Sequence, residues 1–448
     1  MEVQAIGVTQ TKFKDWLSKQ NSVIFTVVVA LSSFLLYSCV YTFRKTFSVA
    51  TFEGMAYLNI SYKVWLVTFQ VLGYALSKFI GIKVISELTA SGRAKGILLM
   101  VCIAGLSWLA FAIVPPPFNI IFLFTNGLPL GLIWGMIFGY LEGRQSTEAL
   151  GAGLSTSFIF ASGFSRSTGA YIMQEWHITE FWMPFVTCCI FILPLILFLW
   201  VLDQVPAPSS LDEQMRTKRT PMNKEARINF IKSFLPGIVL FVVAYMLLTA
   251  YRDFRDNFSA EIWTSLHYTN SPQIFTITEV PVAIAVLIIM GSIMFIKSNR
   301  VALVVNHLII LSGMIVIGWS TYLFEEGSLQ APIWMVLIGL GLYMGYVPFN
   351  SIFFERLLAA FRYTGTVGFV MYVADAFGYL GSVGVMFFKE FGFANLSWLS
   401  FFIKAGYATS IVGSLLTFGS LVYFIEKRKR WRYYSGPAAT RGAIDTSL

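Results

Sequence analysis

The stretch that decides the fold is DQVPAPSSLDEQMRTKRTPMNKEARINFIK, residues Asp203–Lys232, a long polar interruption in an otherwise apolar chain. It carries three prolines and six lysines or arginines, a composition that is typical of a linker. Six apolar runs precede it and six follow it, each of about 20 residues, the length that an α-helix needs to cross a hydrocarbon core. The sequence therefore predicts two six-helix halves joined by this linker.

The apolar runs set the expected boundaries of helices and domains. Helices are predicted near Ser22–Phe43, Tyr62–Ile85, Ala94–Val114, Ile120–Leu141, Leu150–Ile172, Phe181–Leu202, Phe234–Phe258, Pro272–Ile296, Val301–Phe324, Ala331–Phe354, Thr366–Phe388 and Phe401–Ile425. The expected domains are residues 1–202, the cytoplasmic linker 203–232, and residues 233–448 with a basic cytoplasmic tail. A β-barrel is excluded, because its strands would alternate over about ten residues.

Composition and charge point to lipid as the solvent. Of the chain's residues 56% are hydrophobic and 12% charged, whereas soluble domains carry about 25% charged residues. The net charge of +9 is concentrated in short basic gaps that alternate with loops almost free of lysine and arginine, such as Pro115–Asn119 and Gln174–Glu180. This bias predicts an inner-membrane protein with both termini in the cytoplasm, and it explains the basic balance without a nucleic-acid partner.

No catalytic chemistry is indicated. The sequence has no phosphate-binding loop, no metal-ligand spacing and no nucleophile elbow, so we expect neither an enzyme nor a cofactor or metal. Two six-helix halves around a long inside loop are the layout of secondary transporters, whose substrate site lies between the halves near mid-membrane. The fold class is therefore predicted as an all-α membrane protein of the major facilitator kind, and we expect a monomer.

Arg44 and Arg252 are the leading candidates for a substrate site. Each lies about twenty residues from the cytoplasmic start of its helix if helix 1 runs on to Phe52 and helix 7 to Trp263. A guanidinium offers a planar fork of donors for phosphate or carboxylate, and one arginine from each half would let an anion draw the halves together. The alternative is that both arginines reach into lipid headgroups.

Other charges inside the spans have open roles, because a charge in a span usually faces a cavity. Lys78 either lines the cavity or reaches toward the cytoplasmic surface. Arg252 and Asp256 have the spacing of an intrahelical ion pair, which leaves open whether Arg252 or Arg255 faces the cavity, so Arg255 is also predicted as a substrate-binding residue. Glu279, Asp375 and Asp256 are predicted to be counter-charges or carriers of a coupling proton, with structural partners as the alternative. Arg166 is expected to reach into headgroups and His307 to be structural.

Four segments resemble the organophosphate:phosphate antiporters, the carriers of glycerol 3-phosphate and hexose phosphate. They are YTFRKTFSVA at residues 41–50, YALSKFI at 74–80, the run from Arg252 that ends in DNFS at 256–259, and EVP at 279–281. The resemblance implies that Arg44 and Arg252 grip phosphate, that Lys78 and Tyr41 line the site, and that an organic phosphate exchanges for inorganic phosphate.

The leading hypothesis is thus a secondary active transporter of a small organic anion that works by alternating access, with a phosphate ester exchanged for phosphate. The first alternative is proton-coupled transport through Asp375 or Glu279. The second is a transporter-like receptor that binds an anion without net transport. The expected partners are a small anionic solute and the lipid bilayer.

Overall fold

The computed structural model describes residues 12–87, 92–141, 144, 147–206, 224–269, 271–351, 353–361 and 368–434. Most of these residues form helices, so the predicted all-α architecture is confirmed. The twelve long helices, named α1 to α12 in chain order, are Ser22–Lys45, Tyr62–Glu87, Arg93–Ile113, Ile121–Leu141, Thr147–Glu175, Met183–Asp203, Lys224–Asn257, Ile274–Met294, Asn299–Glu325, Ala331–Ser351, Gly368–Gly392 and Trp398–Tyr434.

Ten helices in the described part of the chain are long and apolar enough to cross a membrane. The remaining long helices, α5 and α11, have 29 and 25 residues, which at about 1.5 Å per residue also suffices for a core of about 30 Å. In α5 the run of apolar residues is interrupted by polar residues such as Ser157, Ser162 and Arg166. These side chains are buried against other helices and so avoid lipid. Twelve helices of spanning length therefore stand in the two predicted blocks of six.

The distribution of apolar and charged side chains suits a lipid environment. Large apolar residues such as Leu193, Ile288 and Leu415 are exposed on the outside of the bundle, whereas Lys45 and Arg255 are buried within it. A charge inside a membrane protein faces the interior because lipid offers it no partner. We call the end of the bundle at which α6 ends and α7 begins the linker end. The opposite end is the far end.

Helix α7 begins earlier than predicted. It starts at Lys224, so the last part of the predicted linker is helical, and residues 207–223 lie outside the described residues. Phe230 and Phe234 are buried in this first segment, and the ring of Phe234 lies 4.7 Å from that of Phe361 and 6.4 Å from that of Phe424. Burial of these rings stabilises the extra turns that hydropathy alone had missed.

The predicted continuations of helices 1 and 7 are only partly correct. Helix α1 ends at Lys45 and passes into a 3-10 turn, Thr46–Val49. The path breaks at Phe52, which has a φ of 48° and whose backbone N–H donates to the carboxylate of Glu180 at 3.1 Å. Helix α7 ends at Asn257, and a short helix, Ser259–Ser265, continues beyond Trp263.

The two halves meet along α2 with α11 and along α5 with α8. At the second crossing Gly163 lies so close to α8 that a Cβ there would stand 2.3 Å from the carbonyl oxygen of Phe275. Glycine is required here because no side chain fits, and small residues of this kind allow close helix packing in lipid. One turn away, Thr276 binds Ser167 through its hydroxyl at 2.7 Å.

Polar contacts join the halves at the far end. Lys63, near the start of α2, donates to the Glu261 carboxylate of the short helix at 2.6 Å and to the carbonyl of Ser48 at 2.9 Å. Lys45, at the end of α1, donates to Asn257 at 2.6 Å. These contacts tie the end of α1, the start of α2 and the end of α7 together at the far end.

Candidate functional site

Arg44 lies inside the bundle, with 7% of its surface exposed. Its guanidinium carbon lies over the ring of Tyr74 on α2, 3.7 Å from the ring centroid, a cation–π contact. Within the described part of the chain no carboxylate pairs with this guanidinium, and its buried Nε has no hydrogen-bond partner. Arg44 therefore offers donors that no described side chain uses.

The end of α1 holds Arg44 rigidly, because each of the four carbonyls that a helix end leaves open has a side-chain donor. The hydroxyl of Thr46 donates to the carbonyl of Thr42 at 2.6 Å. The carbonyl of Phe43 receives the indole N–H of Trp108 at 2.6 Å and the amide of Asn126 at 3.1 Å. The amide of Gln70 donates to the carbonyl of Arg44 at 2.8 Å. The hydroxyl of Ser48 donates to the carbonyl of Lys45 at 2.7 Å.

Arg252 is the counterpart of Arg44 in the second half, and it is also 7% exposed. Its guanidinium carbon lies 4.0 Å from the ring centroid of Tyr346 on α10. Unlike Arg44, it has an acidic partner, since its Nε and Nη2 donate to one oxygen of Asp253 at 3.3 and 2.7 Å. The other oxygen of Asp253 accepts the hydroxyl of Ser382 on α11 at 2.9 Å.

The two arginines share a neighbourhood inside the protein. Tyr41 and Asp253 each lie within electrostatic range of both guanidiniums, and so does Tyr379 of α11. Both arginines are therefore inside the protein, on facing halves, and the alternative that they reach into lipid headgroups does not fit their burial.

One guanidinium of this central group has no paired acid among the described residues. Asp253 pairs with Arg252 and lies within electrostatic range of Arg44 and Lys45. Arg44 itself has no carboxylate within ion-pair distance in the described part of the chain, and its buried Nε has no hydrogen-bond partner. An unpaired guanidinium in a membrane interior is costly, because lipid offers it no partner.

Lys78 and Asp375 form a bridge between the halves, next to the central group. The ammonium of Lys78 lies 4.0 Å from the Asp375 carboxylate of α11 and 4.9 Å from the ring centroid of Tyr74. Asp375 also accepts the phenol of Tyr245 at 2.5 Å. Lys78 is thus largely buried, with 11% of its side chain exposed, and it faces the other half of the protein.

Arg255, Asp256 and Glu279 lie together in a second charged group, with Arg166 of α5. The carboxylate of Glu279 lies 2.6 Å from the guanidinium of Arg255 and 3.2 Å from that of Arg166. The carboxylate of Asp256 lies 3.7 Å from the guanidinium of Arg255 and 3.6 Å from that of Arg166. Arg255 also donates to the carbonyl of Met335 at 3.2 Å. Two positive and two negative charges cancel here, so this group is a neutral clamp between the halves.

Two sequence expectations about these charges are wrong. The spacing of Arg252 and Asp256 predicts an ion pair, but Arg252 pairs with Asp253 while Asp256 lies beside Arg166 and Arg255. Arg166 is not a headgroup contact, because it is buried against α7 and α8. The side-chain register between neighbouring helices decides both outcomes, and helical spacing does not contain it.

His307 has the structural surroundings that were expected. Its ring nitrogens lie 2.8 Å from the carbonyl of Leu303 and 3.2 Å from the hydroxyl of Ser420.

Sequence reasoning missed the pair Lys63–Glu261 and the aromatic partners of the arginines. Lys63 stands at the second position of α2, where a lysine ordinarily reaches water, and Glu261 lies beyond the predicted span Phe234–Phe258, in the predicted continuation of that helix to Trp263. Tyr346 and Tyr379 looked like ordinary apolar helix positions. A signal was available in the sequence for Tyr343 and Tyr346, which are one turn apart in α10 and can both face inward.

Solved structures with the same fold include a D-xylose–proton symporter, with a TM-score of 0.60, 16% identity, and coverage of 88% of this chain and 96% of that one. A bacterial homologue of the human lysosomal transporter Spinster has a TM-score of 0.60 and 12% identity, with coverage of 91% of this chain and 99% of that one. The human organic anion transporter MFSD10 (TETRAN) has a TM-score of 0.53 and 14% identity, with coverage of 90% of this chain and 100% of that one. Identities this low show the fold alone, and it is the predicted major facilitator fold.

The sequence itself matches no curated protein. The sequence model of the family of unknown function DUF5690 matches residues 46–427, which include Arg252 and both charged bridges between the halves. The chain is therefore a protein with the major facilitator fold that belongs to the DUF5690 family.

Proposed function

We propose that this protein is a secondary active transporter of a small organic anion. One observation carries the proposal: Arg44 is a buried guanidinium without an acidic partner among the described residues, close to the Arg252–Asp253 pair of the other half. Uncancelled positive charge at this depth is unfavourable unless an anion occupies the site for part of the cycle. The proposed site consists of Arg44, Arg252, Lys45 and Tyr41.

The fork geometry of the arginines favours phosphate or carboxylate. Two guanidiniums on facing halves can each donate two hydrogen bonds to a tetrahedral or planar anion. The resemblance of residues 41–50 and 74–80 to the organophosphate:phosphate antiporters selects phosphate esters within this class. We therefore propose exchange of an organic phosphate for inorganic phosphate. Arg255, predicted as a substrate ligand, is engaged by Glu279 and is left out of the proposed site.

Alternating access would use the contacts between the halves as gates. With both termini in the cytoplasm of a cell whose inner membrane holds the protein, the far end faces outward, and the contacts of Lys63 with Glu261 and of Lys45 with Asn257 close it. An anion that binds Arg44 and Arg252 together draws the halves inward, and this motion lets the far-end contacts break. The protein is proposed to act as a monomer.

Proton-coupled transport is the second candidate, and Asp375 favours it. Its side chain is 15% exposed and lies between Lys78 of the other half and the phenol of Tyr245. A carboxylate in this position, which bridges the halves through Lys78, is our candidate carrier of a coupling proton. A receptor that binds an anion without net transport has no structural feature of its own to support it.

The test is transport by purified protein in liposomes preloaded with phosphate, with labelled phosphate and labelled glycerol 3-phosphate outside, with and without a pH gradient. Arg44→Ala and Arg252→Ala are compared with Arg300→Ala, which removes an arginine that is exposed at the start of α9. We expect phosphate exchange in the wild type and in Arg300→Ala, and its loss in the two central variants.

The other outcomes separate the alternatives. Uptake that depends on a pH gradient, survives both central substitutions and is lost in Asp375→Asn would replace exchange by proton coupling. Binding of phosphate to the detergent-solubilised protein without any flux in liposomes would replace transport by reception.

A further inference from the structure

Asp253 distinguishes the two arginines of the central group. It accepts both the Nε and the Nη2 of Arg252 at one carboxylate oxygen, whereas Arg44 has no acidic partner among the described residues. An anion that enters the site therefore finds Arg44 open, but it must compete with the Asp253 carboxylate for the fork of Arg252.

The surroundings of Asp253 hold its carboxylate in place. Its second oxygen accepts the hydroxyl of Ser382 at 2.9 Å, and Ser382 is on α11. The residue is 2% exposed, and Arg44 and Lys45 lie within electrostatic range. Its ion pair with Arg252 and its hydrogen bond from Ser382 make this carboxylate a resident anion of the group.

The charge of Asp253 gives this resident anion a role in selection. Its carboxylate cancels the charge of Arg252, and removing it would add one positive charge to the group that contains Arg44. Each charge added to the group changes the attraction of a dianion twice as much as that of a monoanion, because the Coulomb energy is proportional to the product of the charges. The group's net charge therefore sets which ionic form of a solute binds best.

We propose that Asp253 is a specificity-determining residue that sets the charge of the anion this site accepts, by cancelling the positive charge of Arg252. The inference rests on the proposed anion site. It concerns Asp253, which faces the central group, and not the carboxylates of Asp256 and Glu279, whose charges are cancelled by Arg166 and Arg255.

The experiment compares sulfate with methanesulfonate, two tetrahedral anions with fixed charges of about −2 and −1. Dissociation constants of both are measured by calorimetry for the wild type, Asp253→Asn and Asp253→Glu in detergent. Asparagine keeps the shape and removes the charge. At an effective dielectric constant of roughly 20 and a separation of several ångströms, the added net charge is expected to raise the preference for sulfate over methanesulfonate at least about tenfold.

The controls separate charge from position. Asp253→Glu keeps the charge, so its preference ratio is expected to stay within about twofold of the wild type. Ser382→Ala frees the carboxylate without changing its charge and is expected to shift both affinities but not their ratio. Size-exclusion profiles identify any variant that does not fold. If Asp253→Asn does not fold, Asp253→Ser, which also removes the charge, takes its place, with the same expected rise in the preference for sulfate.

Two results would overturn the inference. An unchanged ratio in folded Asp253→Asn, or a ratio that changes equally in Ser382→Ala, would show that Asp253 only positions Arg252. If Arg44→Ala left sulfate binding intact, or the wild type bound neither anion, the anion site itself would be refuted, and this inference with it. Binding that depends on Arg44 combined with an unchanged ratio refutes the charge-setting role alone.

Discussion

Replacing Lys63 by methionine is expected to open the far end of the protein. Lys63 is 1% exposed and its ammonium lies 2.6 Å from the Glu261 carboxylate, whose side chain is 13% exposed. Removing one partner of a buried pair costs about 3–5 kcal/mol, because the other charge is left uncompensated. Glu261 keeps some solvent contact, so we take roughly 2 kcal/mol as the cost to the closed form. Since about 1.4 kcal/mol corresponds to a factor of ten, the open form should gain about thirtyfold in relative population.

The assay is labelling of a single cysteine by a membrane-impermeant maleimide added from outside. Ser259→Cys in a background without native cysteines places the thiol in the far-end contact, where Ser259 is 1% exposed. Its labelling rate should rise about thirtyfold with Lys63→Met. The swapped pair Lys63→Glu with Glu261→Lys should bring the rate back to near the starting value.

The reasoning would be refuted by either of two results. Equal labelling in the parent and in Lys63→Met would mean that this pair does not hold the far end closed. Fast labelling in the swapped pair, with the same thermal stability as the parent, would mean that the ion pair itself is not what matters.

Two further predictions concern stability, measured as the thermal unfolding midpoint in detergent. Gly163→Ala should lower the midpoint by several degrees, because its Cβ would lie 2.3 Å from the carbonyl oxygen of Phe275. Gly291→Ala, whose Cβ would meet nothing within 4 Å, should not lower it, and equal midpoints would contradict the close packing of α5 on α8. Glu279→Gln should destabilise the fold by about 3 kcal/mol, since it leaves two buried arginines with one acid. Glu326→Gln, at the exposed end of α9, should leave the stability unchanged. An unchanged stability for Glu279→Gln would show that the clamp formed by Arg166, Arg255, Asp256 and Glu279 contributes nothing.

The architecture was predictable because the membrane imposes its own length scale. Runs of about twenty apolar residues and a linker with three prolines suffice to predict two sets of six helices. The errors occur where the environment of a residue changes along a helix. At Lys224 the turns begin early because buried phenylalanines support them, and the path after α1 breaks at Phe52 because Glu180 holds the backbone.

The candidate site was predictable only as a set of residues. The cost of a charge in lipid identifies Arg44, Arg252 and Lys78 from the sequence. Their partners depend on how the halves pack, and spacing within one helix is silent on this. For that reason the pairing of Arg252 with Asp253 and the inward position of Arg166 came only from the structure.

Arg44 is the residue on which the function proposed here depends. Lysine in its place keeps the positive charge but loses the planar fork of donors. Because Arg44 pairs with no acid in the described part of the chain, Arg44→Lys leaves no partner charge stranded and should retain the unfolding midpoint of the wild type.

The most direct measurement is phosphate exchange by Arg44→Lys in preloaded liposomes, beside Arg300→Lys as the matched control at an exposed arginine. The proposal predicts at least about a tenfold loss of exchange for Arg44→Lys, as expected when a charge-assisted, two-point contact is reduced to a point charge, and full exchange for Arg300→Lys. Equal exchange by the two variants would contradict the central claim that the guanidinium of Arg44 binds the transported anion.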